Sequence, residues 1–342
     1  MNKTMRRTRR SARFPLERTF RRGLVAAWMV WTLGWTGTAL MDVSWYATDL
    51  LAAYQAQMLI PAACLLLWCL LRRGRMTALL TGLGILVATV SLAPGRAISV
   101  PGVDLVGVRS DEHVRVVSLN IHPQNEHWRD DLERIFSWSP DVVILIETPP
   151  DLWRGLVRRG ELRDTAWSNH VYRSWVDELA TPCFVLSRWP IERLAFDGIE
   201  HAERDVLIAR VDRPDGAMLV GAAHPHSPRD ERRWRLGHVQ TRTTVDAVRG
   251  VLKGSDEPLV IGADLNSGPA GHRSLMLRGS GLRMSKPLFG GGGSYPAGLA
   301  APLRVQLDDV WRSSGVRVAG WSSVGGFRSD HRAVVVDLVL PD

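Results

Sequence analysis

An acid and an imidazole stand side by side near the end of the chain, in the stretch "GFRSDHRAVVVDL". Asp330 and His331 come just before Ala333–Leu340, an apolar run with the composition of a buried strand. Glycine and serine precede the pair, so an ordinary turn is one interpretation. The other is a loop that a rigid strand holds in place so that it presents two catalytic groups. The choice depends on whether the chain supplies partners for them.

Polar residues also close the other apolar runs of this region. They are Asn120, Glu147, His224, Asp264, Asn266 and Asp308. Any one of them alone reads as a strand end that begins a turn. The ends of neighbouring strands meet at one edge of a sheet, however, so the six together with Asp330 and His331 predict a single site.

Apolar strands alternate with helices in the region that must position these residues. Amphipathic spacing predicts helices at Glu126–Trp138 and Arg229–Leu252. The predicted strands are Val114–Asn120, Asp141–Glu147, Cys183–Ser187, Val206–Val211, Ala217–His224, Pro258–Asp264, Val305–Trp311 and Ala333–Leu340. This order of elements indicates a layered α/β or α+β fold.

The series "VVSLN", "DVVILIET", "CFVLSRWPI", "GAAHPHSP", "LVIGADLNSGP", "LDDVW" and "GFRSDHRAVVVDL" resembles the endonuclease/exonuclease/phosphatase superfamily over residues 114–340. The D-x-N of Asp264 and Asn266 and the terminal S-D-H are its most specific marks. The resemblance implies a four-layer α/β sandwich, in which two mixed sheets pack face to face with helices outside.

The resemblance also implies a metal site. Glu147 corresponds to the acidic metal ligand, with Asn120 beside it and Asp330 completing the set. Three hard oxygen donors suit Mg²⁺ or Mn²⁺ better than zinc, which prefers histidine or cysteine.

The remaining roles follow from the same resemblance. Asp264 corresponds to the residue that orients or deprotonates the attacking water, and Asn266 to the one that holds that water and the phosphate. His331 corresponds to the imidazole beside the scissile phosphate, with Asp308 fixing its orientation and tautomer, and His224 to the second histidine. The implied reaction is hydrolysis of a phosphate ester or anhydride.

Two positions offer a choice between neighbouring residues. His224 is preferred to His226 because it is nearer the strand, and Asp308 is preferred to Asp309 because it follows the leucine of "LDDVW". In "GADLN" the glycine is displaced by one position from the G-D-x-N pattern. The glycine-rich run Phe289–Pro296 has no following Gly-Lys-Ser/Thr, which favours a mobile surface loop over a phosphate-binding loop.

Three uncharged apolar runs precede this region, at residues 24–41, 50–71 and 76–93. Each is about as long as a helix that crosses a bilayer core of roughly 30 Å. A buried hairpin or a cleavable signal sequence is the alternative, but three long runs in succession favour three transmembrane helices. Tryptophans near the run ends fit the membrane interface: Trp28, Trp31, Trp35, Trp45 and Trp68.

Basic residues predict the orientation of these helices. They are dense in residues 1–23 and recur at Arg72–Arg75, whereas the connector 42–49 has none. The positive-inside rule therefore places the N-terminus in the cytoplasm and the region after residue 95 outside the cell. The predicted organisation is a basic tail (1–23), three transmembrane helices (24–94), a linker (95–110) and a catalytic domain (111–342).

The positive charge belongs to the first part of the chain. Residues 1–75 hold twelve basic and three acidic residues, an excess larger than the net charge of +8 of all 342 residues. The rest of the chain is near neutral, which disfavours a nucleic-acid partner and assigns the basic residues to anionic lipid. Cys64, Cys69 and Cys183 form no disulfide framework or CxxC metal motif.

The layout resembles the membrane-bound VanJ-type proteins associated with teicoplanin resistance. That resemblance implies a cell-membrane phosphatase or phosphodiesterase acting on a lipid-linked phosphate such as undecaprenyl pyrophosphate. A membrane-tethered extracellular nuclease and a catalytically inactive binding module are the alternatives. The sequence indicates no protein partner.

Overall fold

The computed structural model describes residues 4–40, 45–93, 96–106, 112–163, 165–173, 182–195 and 202–341. Lys3 of the basic tail, part of the connector 42–49 and part of the predicted linker lie outside the described residues. The chain divides into two compact units, Met1–Leu92 and Ala93–Asp342.

The first unit is helical, and small residues let its helices approach one another. Its helices are α1 (Thr4–Leu40), α2 (Tyr46–Ala52), α3 (Gln55–Leu71) and α4 (Arg75–Leu92). A Cβ atom at Gly84 would collide with the indole of Trp28, whose Nε1 donates to the carbonyl of Thr81 at 3.4 Å. Ala62 and Ala88 pack against the same indole. Close contact through small residues is typical of helices that pack within membranes.

One described helix, α4, is long and apolar enough to cross a membrane. A second span results if α2 and α3, which meet at 69°, count together as one. The three predicted transmembrane helices are therefore not confirmed as a set. The span at residues 24–41, which lies in the last part of α1 apart from residue 41, stays a prediction.

The second unit is built from strands, with helices between some of them. Its described strands are β1 (His113–Asn120), β2 (Val142–Ile146), β3 (Asn169–Arg173), β4 (Cys183–Ser187), β5 (Ile191–Arg193), β6 (Val206–Arg213), β7 (Gly216–Ala223), β8 (Leu259–Asp264), β9 (Arg283–Met284), β10 (Asp308–Arg312), β11 (Arg317–Val324) and β12 (Ala333–Val339). Its described α-helices are α5 (Trp128–Phe136), α6 (Pro150–Trp153), α7 (Ala202–Asp205), α8 (Glu231–Gly254) and α9 (His272–Gly279). A π-helical turn (Arg154–Arg158) and a 3₁₀ turn (Ala301–Leu303) complete them.

These strands form two six-stranded sheets, in the orders β11-β12-β1-β2-β4-β3 and β5-β6-β7-β8-β10-β9. Each sheet has one parallel pair, β1 with β2 and β7 with β8, and its other pairs are antiparallel. The long connections α5 and α8 join the two parallel pairs, as parallel strands require. Both sheets are therefore mixed.

Three apolar clusters define the layers. Val116 and Ile144 of one sheet and Val260 of the other belong to the central cluster. Side chains on the opposite face of the first sheet pack with α5, and those of the second sheet pack with α8 and α9. The alternation along β1, where Val116 faces the centre and Val117 faces α5, is what a strand covered on both sides requires. The predicted α/β sandwich with two mixed sheets is confirmed.

Several element bounds differ from the predicted ones. The predicted strand Val305–Trp311 begins only at Asp308, because Val305 instead forms a bridge with Tyr295. Strands β3, β5, β9 and β11 were not predicted from the sequence. They are short or carry polar residues, so their apolar pattern is weak.

Residues 96–106 of the predicted linker hydrogen-bond to the second unit. Nε of Arg96 donates to the carbonyl of Lys286 at 2.9 Å, and the backbone N–H of Trp321 donates to Pro101 at 3.0 Å. The backbone N–H of Val103 donates to Oγ of Ser322 at 2.8 Å. This segment is therefore attached to β11 and to the loop after β9 within the second unit.

An ion pair between adjacent strands is buried in the first sheet. Arg115 on β1 donates to both carboxylate oxygens of Asp337 on β12, at 2.8 and 3.0 Å. The same guanidinium donates to the carbonyls of Trp138 at 2.7 Å and Asp104 at 2.9 Å. The arginine therefore fastens β1, β12, the end of the α5 segment and residue 104 to one another.

We expect Arg115→Leu to lower the free energy of unfolding of the second unit by about 3–5 kcal/mol, because it leaves the Asp337 charge buried and unpaired. The double variant Arg115→Leu/Asp337→Leu should recover most of that loss. Urea titration read by hydrogen exchange of the β1 and β12 amides in the detergent-solubilised protein measures both.

The matched control is Arg235→Leu, because Arg235 forms an exposed ion pair with Glu231. It should change the free energy of unfolding by less than about 0.5 kcal/mol. If the two single variants lost equal stability, the buried pair would have no special structural role.

Candidate active site

The carboxyl ends of the two parallel strand pairs meet at one edge of the sandwich. In the first sheet, Asn120 is the last residue of β1 and Glu147 follows β2. In the second sheet, His224 follows β7 and Asp264 is the last residue of β8. Nδ2 of Asn120 donates to Oδ2 of Asp264 at 3.0 Å, so the two sheets are in direct contact through this pair.

The amino ends of two antiparallel strands reach the same edge. Asp308 begins β10 and lies directly opposite Asp264 in the register of the second sheet. His331 comes two residues before β12, which runs antiparallel to β1. Hydrogen bonds and ion pairs within 3.8 Å bring together seven of the eight predicted site residues, namely Asn120, Glu147, His224, Asp264, Asn266, Asp308 and His331.

His331 and Asp308 form a buried pair. Nδ1 of His331 lies 2.7 Å from Oδ2 of Asp308, and both residues are buried. Burial opposes the charged imidazole, but the charges of Asp308 and Asp264 outweigh it and raise the pKa of His331 to about 10. Burial raises the pKa of Asp308, which the neighbouring imidazolium opposes. Near neutral pH the imidazole is therefore charged, with Nε2 facing Asp264 at 3.8 Å.

Asp264 is the residue that most of the others contact. Its carboxylate accepts hydrogen bonds from Nδ2 of Asn120 at 3.0 Å and from the backbone N–H of Asn266 at 2.9 Å. Burial would raise its pKa, but the charge of His331 and the hydrogen bond from His224 lower the pKa of Asp264 well below its usual range. The carboxylate is therefore ionised at every physiological pH.

A second imidazole, that of His224, lies near the same Oδ2 atom of Asp264 as His331 does. Nε2 of His224 lies 3.3 Å from Oε1 of Glu147, 3.5 Å from Oδ2 of Asp264 and 3.0 Å from Nδ2 of Asn266. Asn266 is held in turn by its amide, which donates to the carbonyl of Pro225 at 3.2 Å. These contacts link the end of the first sheet to the two loops of the second.

Two of these residues have a backbone conformation that side chains rarely adopt. Glu147 has φ of 54° and Asn266 has φ of 50°, both in the left-handed region. Such conformations cost on the order of 1–3 kcal/mol and persist where the surroundings determine them, which is frequent at functional sites. Here the strain turns both side chains towards His224.

The structure separates the neighbouring residues between which the sequence offers a choice. His224 enters the site, whereas the backbone of His226 is held by Gln240 and Arg273. Asp308 binds His331, whereas the carboxylate of Asp309 accepts from Nε1 of Trp321 and the backbone N–H of Lys286, both at 3.0 Å. In each case the residue preferred from the sequence is the one at the site.

Asp330 is the one predicted site residue that is exposed, and its charge contributes to the raised pKa of His331. Its carbonyl accepts from the backbone N–H of Ala297 at 2.7 Å, which attaches the loop to the segment after the glycine-rich run. The assignment of Asp330 as a metal ligand beside Asn120 and Glu147 stays a prediction.

The donors of the site fit a divalent cation. Asp264, Asp308 and His331 each offer one ligand atom, and these atoms lie within 4.8 Å of one another. Oδ1 of Asp308 is buried and has no hydrogen-bond partner among the described residues, as an atom that binds an added group would. His331 is charged near neutral pH and so carries a proton on each ring nitrogen, which leaves the carboxylates of Asp264 and Asp308 as the buried donors for an ion. Glu147 adds a carboxylate that is partly exposed.

Three contributors were not predicted from the sequence. Oγ of Ser329 donates to the carbonyl of Asn120 at 2.6 Å and accepts from the backbone N–H of His331 at 3.0 Å. Oγ of Ser294 accepts from the backbone N–H of Asp308 at 3.1 Å, and the Tyr295 ring lies 4.8 Å from the His331 ring. The S-D-H motif contains Ser329, so the sequence offers a signal for that residue. Ser294 and Tyr295 lie in the run Phe289–Pro296, whose glycine-rich sequence indicates only a loop.

A buried arginine supports the loops behind the site. Arg273 on α9 is fully buried, and its Nη1 donates to the carbonyls of His226 at 2.8 Å and Leu265 at 3.0 Å. Its Nη2 donates to the carbonyl of Trp234 on α8 at 3.2 Å. One guanidinium thus fixes the loops that carry His224 and Asn266.

The chain matches no protein-family model and no curated protein sequence. Solved structures do match. The chain is similar to the catalytic domain of human Nocturnin, with 14% identity over 68% of this chain and 96% of that one and a TM-score of 0.51; that structure holds a bound sulfate anion. It is similar to a functionally unknown conserved protein of Enterococcus faecalis, with 12% identity over 67% of this chain and all of that one and a TM-score of 0.51.

A third solved structure is an endonuclease/exonuclease/phosphatase from Beutenbergia cavernae, with 21% identity over 67% of this chain and 72% of that one and a TM-score of 0.48. At these identities a likeness shows the fold alone. One of these solved structures carries the name endonuclease/exonuclease/phosphatase, and none of them confirms the resemblance to VanJ-type proteins.

We expect His331→Gln to flatten the pH dependence of stability between pH 6.5 and pH 10. The pKa of His331 rises from an ordinary 6.5 to about 10 in the folded protein. The stabilisation from its charge is therefore complete below pH 6.5 and is lost as the pH rises towards 10. The melting temperature of the detergent-solubilised protein should fall more steeply in this range for the wild type than for the variant.

The exposed His127 supplies the control, because His127→Gln removes an imidazole outside the site. Its pH curve should run parallel to that of the wild type. Parallel curves for His331→Gln as well would show that the Asp308 and Asp264 charges do not hold a proton on this imidazole.

Proposed function

We propose that the chain is a membrane-anchored phosphoesterase that depends on a divalent metal and hydrolyses a lipid-linked phosphate. The observation that carries the proposal is the ionised, buried Asp264 set between two imidazoles, one of them held as imidazolium by Asp308. The solved Nocturnin structure with the same fold holds a sulfate anion, which has the shape of a phosphate group. That likeness supports an oxyanion as the ligand of this fold.

Asn120, Glu147 and Asp330 would hold Mg²⁺ or Mn²⁺, and the ion would supply positive charge to the phosphoryl oxygens. The carboxylates of Asp264 and Asp308 are the other oxygen donors that lie close together at this edge.

The chain's own residues supply the remaining chemistry. The low pKa of Asp264 makes its carboxylate a weak proton acceptor, so orienting an attacking water is the role that the structure favours for it. Asn266 has an amide within the same network and can share that water and a phosphate oxygen. The imidazolium of His331 offers positive charge and an N–H donor to a phosphoryl oxygen. His224 can donate to a second oxygen or to the leaving group.

The substrate proposal depends on the first unit. α4 is apolar and long enough to cross a bilayer, and the basic residues of the chain are concentrated before residue 76. If residues 24–41 also span the membrane, the chain crosses it three times, and a cytoplasmic N-terminus places the catalytic unit outside the cell, near lipid head groups. A near-neutral catalytic unit favours such a substrate over nucleic acid, whose backbone needs a basic channel. Undecaprenyl pyrophosphate, in glycopeptide resistance or in recycling of envelope lipid, is the substrate that we propose.

The test is phosphate release from undecaprenyl pyrophosphate by the detergent-solubilised protein with Mg²⁺ or Mn²⁺. We expect Asp264→Asn to lower kcat/KM by about 10²–10⁴-fold, because the variant loses the charge that orients the water and pairs with His331. EDTA should abolish release in the wild type. Asp246→Asn, which removes an exposed carboxylate on α8, is the matched control and should retain full activity.

Plasmid DNA is the second substrate in the same assay. If the protein cleaves only DNA and Asp264→Asn loses that activity, the proposed site is supported but the proposed lipid substrate is wrong, and nucleic acid takes its place. If neither substrate is hydrolysed with any divalent metal, the proposed enzyme activity is wrong and the chain is better described as a binding module.

The membrane topology has its own test. An epitope tag before residue 1 should be inaccessible to antibody in intact cells, and a tag after residue 342 should be accessible, because the positive-inside rule places the N-terminus in the cytoplasm. Permeabilised cells, in which both tags should bind antibody, are the control. Accessibility of the N-terminal tag in intact cells would overturn the exported catalytic unit.

A further inference from the structure

The first unit contains a cleft of about 1020 Å³ lined by arginines, here called the arginine cleft. It lies between α1 and the turn that joins α3 to α4. Its arginines are Arg18, Arg21, Arg22, Arg72, Arg73 and Arg75. The proposed hydrolysis uses none of them.

The charge of the arginine cleft is strongly unbalanced. Glu17 is the only acidic residue among those that line it, and it pairs with Nε of Arg72 at 2.9 Å. Six guanidinium groups thus share one carboxylate from the cleft wall. Like charges on one wall repel one another, and a bound anion would reduce that repulsion.

Arg21 is the one arginine of the cleft that is buried, whereas the other five are exposed. It is 8% exposed, and its Nε is buried without a hydrogen-bond partner among the described residues. A Cβ atom at Gly74 would lie 3.1 Å from Nη2 of Arg21. The absence of a side chain at Gly74 therefore lets the guanidinium pack closely against the turn. A buried, charged N–H group without an acceptor carries a large desolvation cost, which a bound anion removes.

The other walls of the arginine cleft are apolar. Val25, Met29 and Leu80 line it together with the guanidinium groups. A cavity with cationic and apolar walls fits an amphiphile better than a soluble anion. Guanidinium groups bind phosphate oxygens through paired N–H donors, and basic pockets between membrane helices bind anionic head groups.

We propose that the arginine cleft binds the phosphate of an anionic phospholipid, with Arg21 as its buried donor. The positive-inside rule explains arginines at this end of the helices, but it gives no reason to bury one of them. The proposal goes beyond phosphate hydrolysis and shares with the proposed function only the membrane placement of the first unit. It makes the anchor selective for lipid charge on the side of the N-terminus.

The test is native mass spectrometry of the full-length protein in detergent, titrated with phosphatidylglycerol or with phosphatidylcholine. We expect one phosphatidylglycerol to be retained with an affinity at least tenfold higher than that for phosphatidylcholine. Arg21→Gln/Arg73→Gln should remove that preference. Arg232→Gln/Arg233→Gln, which removes the same charge from the exposed face of α8, should leave it unchanged.

Two additions keep the result unambiguous. Arg22→Gln/Arg75→Gln removes two exposed arginines of the cleft, so it should weaken retention of phosphatidylglycerol even if the Arg21 variant does not fold. Asp264→Asn should retain the lipid as the wild type does, which separates this proposal from the hydrolytic one.

Equal retention of phosphatidylglycerol by the wild type and both cleft variants would overturn the proposal. Displacement of the lipid by millimolar inorganic phosphate would support a phosphate site and overturn the lipid as its source. Retention that resists inorganic phosphate and is lost in the cleft variants would support the proposal in full.

Discussion

The site depends on one buried negative charge, the carboxylate of Asp264. A buried carboxylate is stable only where donors replace the lost water, and here the amide of Asn120, the backbone of Asn266 and the charge of His331 do so. Asp308 raises the pKa of His331 most, and the charge of Asp264 adds to the effect. The Asp264 carboxylate and the His331 imidazolium thus each favour the charged form of the other. The electrostatics of the site therefore come from the pairing, and the strand ends bring the two groups within reach.

A glycine lets the two sheets approach closely enough for this pairing. A Cβ atom at Gly262 would lie 2.6 Å from Oγ of Ser118 and 2.8 Å from Cγ2 of Ile144, both on the opposite sheet. Gly262 comes two residues before Asp264, where the sheets make the contact with Asn120. The displaced glycine of "GADLN" thus has a structural reason of its own, because it sets the spacing of the sheets beside the site.

Much of the site could be predicted because strand ends can be recognised locally. An apolar run that stops at Asn120 or Asp264 shows both the strand and the polar residue at its edge, and parallel pairs bring such ends together. Ser294 and Arg273 could not be found in this way. The serine acts through the backbone of Asp308 and the arginine through three carbonyls, so their roles depend on tertiary contacts that no local pattern encodes. Sheet order and the weak edge strands depend on such contacts for the same reason.

The arginines of the chain also show why net charge alone is a poor guide to function. In the second unit, Arg115 is buried against Asp337, and the two Nη atoms of Arg273 donate to backbone carbonyls. In the first unit, Arg21 is buried with an N–H group that no described residue accepts. Equal charges therefore have different surroundings: those of Arg115 and Arg273 hold strands and loops of the sandwich together, whereas Arg21 lines the arginine cleft. The positive charge of the whole chain is thus mainly a property of its first unit, whereas the second unit is near neutral and holds the His331 imidazolium among carboxylates.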